Sequence, residues 1–257
     1  MKLLFVGDVF GQPGRAALLE WLPGFREKAG VDFVVANGEN AANGAGITSK
    51  IARKLLDGGV DVLTTGNHVW RQREVFPFLE ADERIVRPAN YPPGAPGRGL
   101  TARPAADGTP VAVVNLAGNL YMGTGLSPFR LVDRLVDEAH DRAATVIVDL
   151  HAEATSEKVA MGHYLDGRVT AVVGTHTHVQ TSDARVLPCG TAYITDVGMT
   201  GPLESVIGVR TDIIVQRFLT EMPQRFEVGE GPVRLNAVLI NAEGGAATAI
   251  EALELVI

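Results

Sequence analysis

The sequence predicts an α/β fold in which two mixed β-sheets pack together and helices flank them, with residues 1–257 forming one domain. Three observations carry this expectation. Short runs of branched and aromatic residues recur at Leu3–Val6, Phe33–Val35, Val62–Thr65, Val146–Val148 and Val172–Val173, and such runs read as buried strands. Helical stretches separate them, which is the sequence form of parallel strands joined by right-handed crossovers. The chain then closes on two further strands, Val233–Asn241 and Ala246–Val256, joined at Glu243-Gly244-Gly245 as a hairpin.

Taken in order, strand Lys2–Val6 leads into a helix over Pro13–Lys28, with Pro13 suited to a first helical turn and Gly30 to a stop. Strand Asp32–Ala36 follows. Thr48 is placed to cap a helix Ser49–Leu56 that Gly58-Gly59 ends, before strand Asp61–Thr65. Pro88–Gly99 is so dense in proline and glycine that it reads as a loop. Strand Val111–Leu116 precedes a helix from Ser127-Pro128 to Arg142, whose Phe129, Val132, Leu135 and Val136 share one face. Strand Thr145–Leu150, helix Ser156–Leu165 and strand Val169–Val173 restore the alternation. Short strands are expected at Ala184–Leu187 and Ala192–Thr195, then a glycine-rich loop over Val197–Gly208 and a helix over Thr211–Met222.

At 257 residues the chain can bury one sizeable core, and 46% hydrophobic with 21% charged residues argues against disorder. A net charge of −7 disfavours long nucleic acid, whose binding relies on basic residues neutralising phosphates. A small anionic substrate stays open, because bound cations reverse the local field. Cys189 is alone, so neither an intramolecular disulfide nor a zinc ribbon can form; flanked by Pro188 and Gly190 it is expected to pack rather than to act as a nucleophile. The first apolar run stops at Gly7-Asp8, too short for a signal-peptide core or a membrane span, so a cytoplasmic protein is expected. Assembly into a homo-oligomer is left open.

Residues able to hold a metal stand just after these apolar runs: Asp8, Glu39, Asn67, His68, His151, and the pair His176 and His178. Loops leaving the carboxyl ends of strands line the ligand crevice of an α/β sheet, so these side chains are expected to meet. The adjacent His68 projects differently from Asn67 and suits an acid rather than a ligand. His176-Thr177-His178 is the strongest local signal, since residues two apart in an extended segment face one side. A mixture of carboxylate, amide oxygen and imidazole suits iron, manganese or zinc. Taken singly, a Gly-Asp or a loop glutamate is more often only a turn or a solvated carboxylate. His140 and His163, among charged residues on helices, are expected to be solvated. Glu153 and Glu157 fit either as partners orienting imidazoles or as exposed carboxylates at a helix start. Nucleophile elbow, Walker loop, His-Glu-x-x-His and dinucleotide fingerprints are missing.

Gly7-Asp8, Gly38-Glu39-Asn40, Gly66-Asn67-His68, His151 and Thr175-His176-Thr177-His178 resemble, in that order, the motifs of the calcineurin-like metallophosphoesterases. Gly7–Gly11, Asn37–Asn40, His151–Lys158 and Asp196–Pro202 resemble the bacterial YmdB-type branch in particular. Two departures from the wider superfamily stand out: Phe10 replaces a metal-binding histidine and Glu39 replaces an aspartate. The resemblance implies an αββα sandwich and a cytoplasmic hydrolase of 2′,3′-cyclic nucleotides, such as 2′,3′-cAMP, cut at the 2′ ester to leave a 3′-nucleotide. It implies two transition-metal ions, with iron favoured and manganese or zinc as alternatives. Asp8, Asn40 and His178 would hold one, Asn67, His151 and His176 the other, and Glu39 would bridge them. Cations about 3.5–4 Å apart would activate water for in-line attack, and His68 would protonate the leaving ribose oxygen. The partner is then a small nucleotide, with neither membrane nor long nucleic acid. The same apparatus would serve a phosphomonoesterase or a nuclease, and a regulatory metal-binding protein with residual activity is the reading from another class.

Overall fold

The computed structural model describes residues 1–123 and 125–257. In chain order its elements are β1 (Lys2–Val6), β2 (Asp8–Val9), α1 (Gly11–Ala29), β3 (Phe33–Asn37), α2 (Ser49–Asp57), β4 (Val62–Thr64), α3 (Phe76–Ala81), β5 (Leu100–Pro104), β6 (Pro110–Ala117), α4 (Pro128–His140), β7 (Thr145–His151), α5 (Thr155–Tyr164), β8 (Ala171–Thr175), β9 (Arg185–Val186), β10 (Ala192–Ile194), β11 (Met199–Pro202), α6 (Thr211–Thr220), β12 (Val233–Glu243) and β13 (Ala246–Val256). The local signals act as the chain chemistry requires. Thr48 accepts from the backbone N–H of Ile51 at 3.2 Å and starts α2. Gly30 ends α1 in the left-handed conformation at φ 65°.

One sheet runs β2-β11-β12-β1-β3-β4, with β13 also paired to β12; the other runs β5-β6-β7-β8-β10-β9. In the first, β1 is parallel to β3 and antiparallel to β12. In the second, β6, β7, β8 and β10 are parallel and the outer strands β5 and β9 are antiparallel. Alternation along each strand divides the core into layers. Leu3 and Phe5 join Phe33, Val35, Val113, Ile147, Val173 and Ile194 between the sheets. Leu4 and Val6 face the other way, onto Leu18 and Leu22 of α1 and Leu55 of α2. Val114, Val146 and Val148 likewise face Val132 and Leu135 of α4 and Met161 of α5. Each fully buried side chain of this kind contributes ~1.5–3 kcal/mol. The expected αββα layering is therefore present.

Five elements differ from expectation. Met199–Pro202, placed in a glycine-rich loop, is strand β11; its glycine and proline are tolerated because it fills a slot against β2 and β12. β5 has a weak apolar pattern ending in Pro104, and pairing to β6 makes it a strand. The short helix α3 and the two-residue β2 are also additions, and β8 lies two residues later than expected. Cys189, expected to pack, is exposed, and its backbone N–H donates to the Asp166 carboxylate.

Candidate metal centre

The carboxyl ends of β1, β3 and β4 in one sheet and of β7 and β8 in the other meet at a single seam. Asp8 arrives from β1 through Gly7, where a Cβ would stand 2.2 Å from the carbonyl oxygen of Gly198. Glu39 and Asn40 follow β3, Asn67 and His68 follow β4, His151 ends β7, and His176 and His178 follow β8. Gly66 is the close approach that lets them meet: a Cβ there would lie 2.2 Å from the His151 ring and 2.3 Å from Glu39 Oε2.

The seven side chains come together in two overlapping sets. His151 Nε2 lies 3.0 Å from Glu39 Oε1, 3.1 Å from Asn67 Oδ1 and 3.0 Å from His176 Nδ1. The ligand atoms of Glu39, His151 and His176 all fall within 4.8 Å of one another. In the second set, the Asn40 amide nitrogen is 3.0 Å from His178 Nε2 and 3.2 Å from Glu39 Oε1. Asp8 Oδ1 is 3.8 Å from His178 Nε2. Glu39 touches both sets. His176 and His178 share the crevice as expected, but not by strand alternation: they adopt φ of 104° and 65°, so a bend rather than an extended segment aims them.

In each of these three imidazoles one nitrogen faces an outer oxygen, so the other is the nitrogen that would offer a lone pair to an ion in the seam. Thr175 Oγ1 donates to Asp149 Oδ1 at 2.7 Å, so at 2.9 Å it accepts from His151 Nδ1. His176 Nε2 lies 3.0 Å from Glu153 Oε2. His178 Nδ1 donates to the carbonyl of Ile207 at 2.8 Å. Partners of this kind orient metal-binding histidines and settle their tautomers. Asp8 Oδ1 completes the picture as a buried carboxylate oxygen without a hydrogen-bond partner among the described residues. Converging lone pairs of nitrogen and oxygen, with no thiolate, fit a borderline transition metal.

The electrostatics agree on a need for positive charge. Burial opposes a charge on His151, but Glu39, Asp8 and Asp149 around it prevail and lift its pKa to about 9. Burial also opposes a charged Glu39, yet His151 and His68 hold its pKa down at about 2. His176, desolvated and beside His151, falls to about 3 and is therefore neutral. Asp8 is pushed up by burial, which the histidines only partly offset.

His68 sits at the edge of this cluster, its Nδ1 3.5 Å from Glu39 Oε1. Its Nδ1 meets Asn40 Oδ1 at 2.8 Å, its backbone N–H donates to Glu39 Oε2 at 3.0 Å, and its ring lines an adjoining cleft of about 510 Å³. Glu153 serves an imidazole, whereas Glu157 does not: buried, it accepts from the backbone N–H groups of Asn119 and Leu120. His140 and His163 are exposed. One support lay beyond sequence reasoning. Buried Lys158 donates to Asp196 Oδ2 at 2.6 Å, and the same oxygen accepts from Thr177 N and Oγ1, tying down the bend between His176 and His178. Asp149 and His151 did leave a signal, since residues two apart on a strand share a face.

Two mixed sheets between helices, with acceptor side chains gathered where their strands end, define a phosphoesterase-type architecture. A family model described as YmdB-like protein matches residues 4–253, and the chain belongs to that family. It is 49% identical over 243 residues to a Bacillus subtilis (strain 168) protein named 2′,3′-cyclic-nucleotide 2′-phosphodiesterase, covering 95% of this chain and 92% of the relative. A crystal structure of a hypothetical protein from Thermus thermophilus matches with a TM-score of 0.94 at 46% identity, over 100% of this chain and 99% of that one. A crystal structure of a novel phosphatase from Mycoplasma pneumoniae matches at 0.91 and 34% identity, over 100% and 93%. The family resemblance drawn from the motifs thus holds. No helix among the described residues is long and apolar enough to cross a membrane.

Proposed function

We propose that this protein is a metal-dependent phosphodiesterase that opens 2′,3′-cyclic nucleotides at the 2′ ester, acting as one catalytic domain in the cytoplasm. The observation that carries the reading is the gathering of His151 and His176 on Glu39 and of His178 beside the orphaned Asp8 oxygen, with the outer nitrogen of each imidazole facing an oxygen. The named activity of the Bacillus subtilis relative supports the substrate class. Asp8, Asn40 and His178 would hold one ion, Asn67, His151 and His176 the other, with Glu39 shared and iron favoured over manganese or zinc. Bound there, two such ions supply Lewis-acid polarisation of the phosphate and water activated at neutral pH.

The chain's own residues do the rest. Glu39 and Asp8 balance the cationic charge, while Glu153, Ile207 and Thr175 keep the three imidazoles in the ligating tautomer. Protonated on both ring nitrogens, with Nδ1–H donating to Asn40 Oδ1, His68 would deliver its Nε2 proton to the departing ribose oxygen and be left as neutral imidazole, help typically worth ~10²–10⁴ in rate. Turnover and product analysis of 2′,3′- and 3′,5′-cyclic nucleotides by metal-reconstituted protein tests the reading. A 3′-nucleotide from the 2′,3′-cyclic substrate is the expected result; failure to hydrolyse any phosphodiester would sink it.

A further inference from the structure

Beside the candidate centre the cleft has an apolar side that the hydrolytic chemistry does not use. Phe10 forms its floor, almost completely buried at 4% exposure, with its ring edge-on to His178 at 5.6 Å between centroids. Gly44 and Gly208 make room for that ring, since a Cβ on either would lie 2.5 Å from it. The wall rises through Val209 and Val228 to Phe226 and Ile207, which are 46% and 52% exposed at the cleft. Arg217 lies over the Phe226 ring, 5.0 Å from its centroid, and steadies an aromatic side chain on an otherwise exposed segment. An exposed aromatic ring in line with a buried apolar floor costs hydration unless something flat and apolar covers it.

We infer that this wall is a nucleobase subsite, with Phe226 the residue on which the base of the substrate stacks. The inference rests on the proposed phosphodiesterase reading, which puts a cyclic phosphate at the ligand cluster and so aims the rest of the nucleotide along the cleft. The cleft, about 510 Å³, suits a molecule of nucleotide size. A stacked base needs no directional partner, so the wall reads the presence of a base more than its identity. Phe10 has a role in this scheme: at a position next to the ligands it supplies apolar surface contiguous with them.

The test compares 2′,3′-cyclic AMP with base-free ribose 2′,3′-cyclic phosphate on metal-loaded wild type, Phe226→Ala and Phe226→Trp. Calorimetric binding of 3′-AMP and of ribose 3-phosphate runs alongside. Loss of one stacking contact predicts a KM for the nucleotide raised about tenfold in Phe226→Ala, with kcat little changed. The base-free substrate should be indifferent to the substitution, and Phe226→Trp should restore nucleotide binding. Wild type that handles both substrates with equal KM, or a Phe226→Ala protein impaired equally on both, overturns the subsite. If neither cyclic substrate is hydrolysed, the phosphodiesterase reading fails on its own, and calorimetry still decides: tighter binding of 3′-AMP than of ribose 3-phosphate, lost in Phe226→Ala, upholds the subsite, and equal binding removes it.

Discussion

At the scale of single residues, Glu39 is the residue shared by the two proposed ligand sets, and that asymmetry is measurable. Glu39→Gln removes the negative charge common to both proposed sets, whereas Asn40→Ala removes a neutral candidate ligand from one. Metal content and phosphodiesterase rate should fall together and further in Glu39→Gln. An active Glu39→Gln protein retaining two ions contradicts the shared role. His68 makes the opposite case: its Nδ1 is taken up by Asn40 Oδ1, and its ring lines the cleft. His68→Ala should keep its metal and lose ~10²–10⁴ in turnover of a ribose ester, with a smaller loss for a nitrophenyl ester whose leaving group needs little protonation. Metal analysis with paired substrates checks both halves: lost metal makes His68 a ligand, and equal slowing makes it a positioning group. These residues were legible in the sequence because each follows a recognisable buried run. What was not legible is how they are held. Thr175 and Gly66 serve the centre only through contacts with residues far along the chain.

Among the elements, those with strong local chemistry were readable and those made by pairing were not. α2 announces itself by Thr48 and Gly58, and β13 by its alternation after two glycines. β11 carries no such pattern, because its strand state comes from β2 and β12 on either side. The same limit hid the Lys158–Asp196 pair joining α5 to the bend after β8. Lys158→Met strands the buried Asp196 charge, a loss typically of ~3–5 kcal/mol. The double change with Asp196→Asn should recover much of the stability while leaving metal affinity reduced, since the anchor of Thr177 is weakened. Thermal unfolding and metal titration of the three proteins separate the two effects. Asp183 gives the corresponding acid limit. Burial raises its pKa, but hydrogen bonds from Thr181 and Thr195 prevail and hold it below the ordinary value. The stability it adds is complete above the unfolded-state pKa of about 3.9 and disappears as pH falls through the lower folded value. Asp183→Asn should therefore flatten the acid limb of unfolding, and an unchanged limb would assign that limb to other carboxylates.

For the molecule as a whole, the candidate ligands come from both sheets, so an ion bound at the seam would tie the layers together. At a free metal concentration of a hundred times Kd the linkage is about 2.7 kcal/mol, and for a chain of this size that shifts Tm by about 5–10 °C. Chelation should remove the shift, and mild acid should do the same by protonating the imidazoles. A Tm indifferent to metal would show that the sheets pack without help from the seam.

The position of β12 bears on how the protein is made. β1 is residues 2–6, yet its antiparallel neighbour is residues 237–241, and Val238 and Ile240 of that strand sit between the sheets. On the ribosome the first strand can take β3 early, but its other edge stays open until residues 237–241 have emerged. Every candidate ligand is by then already synthesised, His178 being the last. A nascent chain ending near residue 230 thus carries the complete ligand set on an unfinished sheet. Such a fragment should hold metal weakly and associate through the bare edge of β1, whereas adding back a peptide spanning 231–257 should quench that association. Competence then arrives late and all at once, with the strand that closes the sheet rather than with the last residue of the site.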